Sequence, residues 1–145
     1  MNPTPHQQLS LFDSPAHRIA ALGRATKCAL RAAVAASGLT RPEVVFRANE
    51  LAAESGVSMC AGNGALSEAT FNKWLDLNSP GHMPGFVPLT ILCSILEDTE
   101  IFAAALAVQG FEVMGPEDCK FRDLGRATYK LKQARLEYKK AEESL

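Results

Sequence analysis

Apolar residues along this chain recur in steps of three and four, and glycine and proline interrupt the pattern at intervals. That is helical rather than strand periodicity. The first element is signalled by Ser14 as a cap and Pro15 at the first helical position, with Gly38 as its stop. Within it Ile19, Leu22, Thr26, Ala29, Leu30, Ala33, Val34 and Ser37 form one stripe. The hydroxyls of Thr26 and Ser37 can bond a carbonyl in the preceding turn, which lets both sit on a core face. Arg18, Arg24, Lys27 and Arg31 lie off the stripe, ordinarily as a solvated face, alternatively as a phosphate-facing row. Thr40-Arg41-Pro42-Glu43 has the spacing of a capping box and opens a second helix. Its apolar side is Val44, Val45, Ala48, Leu51 and Ala52, and Gly56 ends it.

A third helix spans Leu66 to Leu77, with Ser67 as its cap and Glu68 in its first turn. Phe71, Trp74 and Leu75 face inward, leaving Ser67, Glu68, Ala69, Asn72, Lys73 and Asp76 outside. Residues 78–88 are a Pro/Gly-rich loop, and Pro88 is expected to start a fourth helix on Leu89, Leu92, Cys93 and Leu96. Thr99 is expected to cap a fifth, burying Ile101, Phe102, Ala105, Leu106 and Val108. Phe111 to Met114 reads as a short extended piece that closes the core. The last stretch is one long helix in which Leu124, Ala127, Leu131, Ala134, Tyr138, Ala141 and Leu145 form an a/d seam. Residues 1–14 read as a flexible tail, 15–115 as the helical domain and 116–145 as the C-terminal helix, a dimerisation element through Leu124, Leu131, Tyr138 and Leu145. The seam leaves open whether partner helices run parallel or antiparallel, or whether the helix folds back on the domain.

Composition agrees with an all-α fold: 47% of residues are hydrophobic, much of that alanine, while strand-forming residues are scattered. The net charge of −1 carries no global signature of nucleic-acid binding. Its distribution is more informative, because residues 81–119 hold no Lys or Arg while 120–145 are rich in them. A DNA-binding face would come from the first part of the chain, the last part, or both. The four cysteines show no CxxC spacing and the three histidines do not cluster with them, so buried free thiols are expected and no metal site. The N-terminus lacks the cationic start and apolar run of a signal peptide, and no apolar stretch approaches the roughly 18 residues of a membrane span. A cytoplasmic protein without a membrane association is expected.

Two motifs carry functional content. Gln8-Leu9-Ser10-Leu11-Phe12 resembles the QLSLF pentapeptide by which bacterial replication and repair proteins dock into the polymerase sliding clamp. There Leu11 and Phe12 would meet an apolar pocket and Gln8 would supply hydrogen bonds; the plainer reading packs Leu9, Leu11 and Phe12 back on the domain. Leu51 to Ser58, LAAESGVS, looks like the first helix and turn of a helix-turn-helix, in which glycine makes the turn and the hydrophobe after it plugs the core. The second helix should follow at once, yet Met59 to Ala65 intervene. LSEATFNKW then resembles the VSxxTxxxW end of phage-type motifs, so the turn is enlarged. Gly62-Asn63-Gly64 is no P-loop, lacking a preceding strand and a following Lys-Ser/Thr.

The stretch from Leu39 to about Met114 resembles small helix-turn-helix regulators encoded near the transposase genes of Mu-like prophages. The residues that carry the likeness are GLTRPEVV from Gly38, RANEL from Arg47, LSEATFNKW from Leu66, PGHMP from Pro80 and LCSILED from Leu92. The resemblance implies a lambda-repressor-like fold and a DNA-binding role. Asn72 and Lys73 would then read base edges, Ser67 and Thr70 would contact phosphate or a base, Glu68 would accept from cytosine or merely cap, and Arg41 and Arg47 would anchor phosphates. Double-stranded DNA and a second copy of the chain are the expected partners. The rival expectation is a protein-interaction adaptor that uses the clamp-like tail. No carboxylate pair, Cys-His or Ser-His arrangement is visible, so neither catalysis nor a cofactor is expected. A lone loop histidine, His82, is read as a surface residue.

Overall fold

Helix boundaries fall mostly where the sequence supplies capping chemistry. The computed structural model describes residues 14–145, which are all-helical: α1 (Pro15–Ser37), α2 (Arg41–Ser55), α3 (Glu68–Leu75), α4 (Phe86–Leu96), α5 (Glu100–Val108) and α6 (Pro116–Glu143). Ser14 Oγ accepts the His17 N–H and Pro15 occupies the first helical position. Thr40 and Glu43 form the full capping box on α2. Gly56 then closes α2 in the left-handed region at φ 66°. Its N–H bonds the Ala53 carbonyl and the Val57 N–H bonds that of Ala52, a Schellman closure that only glycine adopts without strain. The clamp-like segment Gln8, Leu9, Leu11 and Phe12 lies outside the described residues.

The chain divides into a compact body through Phe111 and a second unit, Glu112–Leu145. In the body α1 packs on α5, α3 and α4, and α2 packs on α4 and α3. The core joins Leu30, Ala33 and Val34 of α1 to Val44, Ala48 and Ala52 of α2, Phe71, Trp74 and Leu75 of α3, and the apolar side of α4. Ile101 anchors α5 there. The hydroxyls of Thr26 and Ser37 bond the carbonyls of Leu22 and Val34, which is how two polar residues share an apolar stripe. No described helix is long and apolar enough to cross a membrane.

Several local expectations are overturned. Ile19 is exposed although it continues the apolar stripe of α1. α4 begins at Phe86 with Gly85 as its cap, so Pro88 sits inside the first turn, where its missing N–H costs nothing. Thr99 holds the cap position of α5, yet its hydroxyl makes no capping bond. Asp98 Oδ1 takes the Glu100 N–H instead, at 2.7 Å. Phe111, Val113, Met114 and Leu106 are all exposed, so the segment after α5 does not close the core. After Glu100, α5 is apolar on every side, and periodicity gives no direction to such a run.

In the second unit, the 28 residues of α6 include none that is buried. Leu124, Leu131, Tyr138 and Leu145 are all exposed.

Candidate functional site

The site is built around α3, only eight residues long and therefore dependent on its neighbours for order. At its start, Ser67 Oγ accepts the Thr70 N–H at 3.1 Å and donates to Thr70 Oγ1 at 3.0 Å. These two hydroxyls satisfy each other and the helix end. On the inner face Phe71 is wholly buried, with Trp74 and Leu75 beside it. A 3.6-residue period then turns Glu68, Ala69, Asn72, Lys73 and Asp76 outward.

The approach to α3 is an ordered excursion rather than a slack loop. Met59 and Leu66, at its two ends, are buried in the core. Between them the Cys60 N–H bonds the Gly64 carbonyl at 3.1 Å and Ala61–Asn63 form a single 3-10 turn. Ser58 Oγ donates to the Cys60 carbonyl at 2.6 Å. Val57, the expected core plug, is exposed, and Met59 takes that place. The main strut is Asn49 of α2. Its Nδ2 donates to the Leu66 carbonyl at 2.9 Å, while its Oδ1 accepts the Leu66 N–H at 2.8 Å. One amide side chain thus imitates a strand partner and fixes where α3 begins relative to α2.

The far end of α3 is held by a residue that periodicity misplaces. Lys27 lies off the α1 stripe but is only 1% exposed. Its Nζ donates to the carbonyls of Lys73, Asp76 and Ser79 at 2.8, 2.9 and 2.8 Å. An ammonium has three N–H donors and no acceptor, so three converging carbonyls use it fully. The position also suits a cation because the carbonyl end of a helix carries partial negative charge. Burial pulls the Lys27 pKa below its ordinary 10.5, and the nearby Asp76 carboxylate opposes that shift. Asp76 Oδ1 accepts the Asn78 N–H and Oδ2 the Ser79 hydroxyl, at 2.9 and 3.0 Å. These bonds hold its carboxyl below the ordinary 3.8, the Asn78 N–H contributing most.

With both ends fixed, α3 borders an open cleft lined by Arg31, Arg41, Asn72, Lys73, Leu75 and Asp76. Three cations from three helices meet there. Arg41 Nη1 donates to Asn72 Oδ1 at 2.7 Å, which orients the amide and leaves its NH2 as a donor. Of the expected site residues, Arg41, Asn72 and Lys73 come together, and Arg31 joins them although only its row was apparent in the sequence. Arg47 does not join them: it borders depressions on other sides of α2, beside Glu43 and Glu50 and near Glu97 and Asp98. Ser67 and Thr70 are occupied in capping, and Glu68 is exposed in the first turn.

The cleft contains no serine, cysteine or histidine that could act as a nucleophile or base. Among the described residues no three His, Cys, Asp or Glu side chains converge as metal ligands would. The thiols are free, but of the four only Cys93 is buried; Cys28 is exposed and Cys60 and Cys119 are half-buried. Burial, with Asp98 nearby, pushes the Cys93 pKa up to about 11, which makes it an inert core residue. Comparison with family models, curated proteins and solved structures finds no match to this chain.

Proposed function

We propose that the protein is a sequence-specific, non-enzymatic DNA-binding protein, a transcriptional regulator of the phage or prophage type. In this reading α2 and α3 form a helix-turn-helix of lambda-repressor-like fold with an enlarged turn, and α3 enters the major groove. The observation that carries the reading is the convergence of Arg31, Arg41, Asn72 and Lys73 on the exposed side of a helix whose other side is core. The chemistry fits each part of a duplex. Arg31 and Arg41 suit phosphates, Lys73 suits guanine or phosphate, and the free amide donor of Asn72 suits a base acceptor. Asp76, the carboxylate nearest this face, is engaged with Asn78 and Ser79 and offset by Lys27 and Arg31, which reduces its repulsion of phosphate.

The test starts with selection of bound duplexes from random oligonucleotides, followed by titration at two salt concentrations. Specific binding should weaken as salt rises, because phosphate contacts release counterions. Asn72→Ala with Lys73→Ala should lower affinity for the selected site by at least about tenfold, as each base contact contributes about 1–3 kcal/mol. The melting temperature should hold, since neither side chain is core. Unchanged affinity would remove α3 as the reading element. Failure to select any sequence would favour the adaptor reading, with Gln8 to Phe12 as its docking segment.

A further inference from the structure

The seam of α6 has a layer order and a charge order that together select one partner and one geometry. Leu124, Leu131 and Tyr138 occupy the a positions and Ala127, Ala134 and Ala141 the d positions. Large residues therefore alternate with alanine along the whole seam, and none of them is buried. In a parallel pair like residues meet, so Leu or Tyr layers would hold the helices apart and the alanine layers between them would be empty. In an antiparallel pair each a position meets a d position. Leu124 then packs on the partner's Ala141, Ala127 on the partner's Tyr138, and Leu131 on the partner's Ala134. Every layer joins one large residue to one alanine, so the layers are far more even in thickness than in the parallel pair.

The flanking charges make the same choice independently. The g positions include Lys130 and Glu137, and the e positions include Arg135 and Glu142. A parallel pair sets Lys130 beside the partner's Arg135 and Glu137 beside the partner's Glu142, each contact occurring twice and each repulsive. The antiparallel pair sets Lys130 beside the partner's Glu137, twice and attractively, and Arg135 beside the partner's Thr128, which is neutral. Sliding the antiparallel pair by a heptad in one direction brings Lys130 onto the partner's Lys130. Sliding it in the other brings Arg135 onto the partner's Arg135 and Glu137 onto the partner's Glu137. The register is thus fixed as well as the direction.

We propose that two copies of this chain associate through α6 as an antiparallel pair, in the register that sets Leu131 against the partner's Ala134. The overlap from Leu124 to Ala141 is about 27 Å long at 1.5 Å per residue. This pairing does not rest on the DNA-binding reading; it holds or fails on the seam alone.

Sedimentation equilibrium of the full chain tests it. Alanine at half the seam limits the buried area, so a dimer dissociating at about 1–100 μM is expected. Lys130→Glu turns two attractive contacts into two repulsive ones and should weaken the dimer about tenfold. Glu137→Lys should do the same, and the double variant should restore the original affinity, which a mere loss of helicity would not. A parallel pair answers oppositely, because Lys130→Glu would face the partner's Arg135 and tighten it. A chain that stays monomeric at high micromolar concentration overturns the proposal. So does a dimer that Lys130→Glu strengthens or leaves unchanged.

Discussion

Replacing Lys27 by methionine keeps an unbranched apolar stem of similar length and deletes the ammonium. The carbonyls of Lys73, Asp76 and Ser79 then lose a donor that the native fold places within 2.9 Å of each. A hydrogen bond to a charged group contributes about 1.5–3 kcal/mol, so the three together supply roughly 6 kcal/mol. Against this stands the cost of taking an ammonium out of water, several kcal/mol, which the methionine does not incur. The residue is covered but lies near the surface of the body, so that cost sits at the lower end. Discounting the bonds by about half leaves a net loss of roughly 3 kcal/mol. For a body of about 100 residues, 1 kcal/mol moves the melting temperature by about 4–8 °C, which gives a fall of roughly 12–24 °C. Thermal denaturation followed by circular dichroism measures it. Lys27→Arg should not rescue, because a planar guanidinium cannot direct its donors to three carbonyls arranged around a point. A fall of less than about 3 °C, or a rise, would mean that the three contacts merely offset the desolvation of the charge. Lys27 would then not be what holds the end of α3.

Asn49→Ala should cost about 2–3 kcal/mol, since both polar backbone groups of buried Leu66 lose their partner. Asn49→Asp keeps the acceptor but sets a carboxylate against the Leu66 carbonyl, so chemical denaturation should show little recovery. The carboxyls of Glu43 and Asp76 lie below their ordinary values of 4.5 and 3.8, held there first by the N–H groups of Thr40 and Asn78. A carboxyl with a depressed folded pKa stabilises the fold above its unfolded pKa and loses that contribution as pH falls through its folded pKa. Stability should therefore decline below about pH 4.5, and Glu43→Gln with Asp76→Asn should flatten that acid limb. An acid limb of unchanged steepness in the double variant would assign the dependence to other carboxyls.

Local chemistry determined much of this protein. Ser14, Thr40 with Glu43, Gly56 and Ser67 act at helix ends as their sequence context implies, because a cap is made by residues three or four positions apart. The same short range explains why Phe71, Trp74 and Leu75 were legible as the inner face of α3. Tertiary structure decided what depends on residues distant in the chain. Lys27 and Ser79 are 52 positions apart, and a lysine's place off the apolar stripe gives no sign that three carbonyls await it. Asn49 and Leu66 are 17 positions apart, and the two hydrogen bonds between them tie the start of α3 to α2. The cleft arises in the same way. Arg31, Arg41 and Lys73 read singly as surface charges, and only packing of α1, α2 and α3 brings them to one face while leaving Arg47 on another. Periodicity assigns a residue to a side of its own helix; which neighbour stands on that side is set by the packing of the whole body.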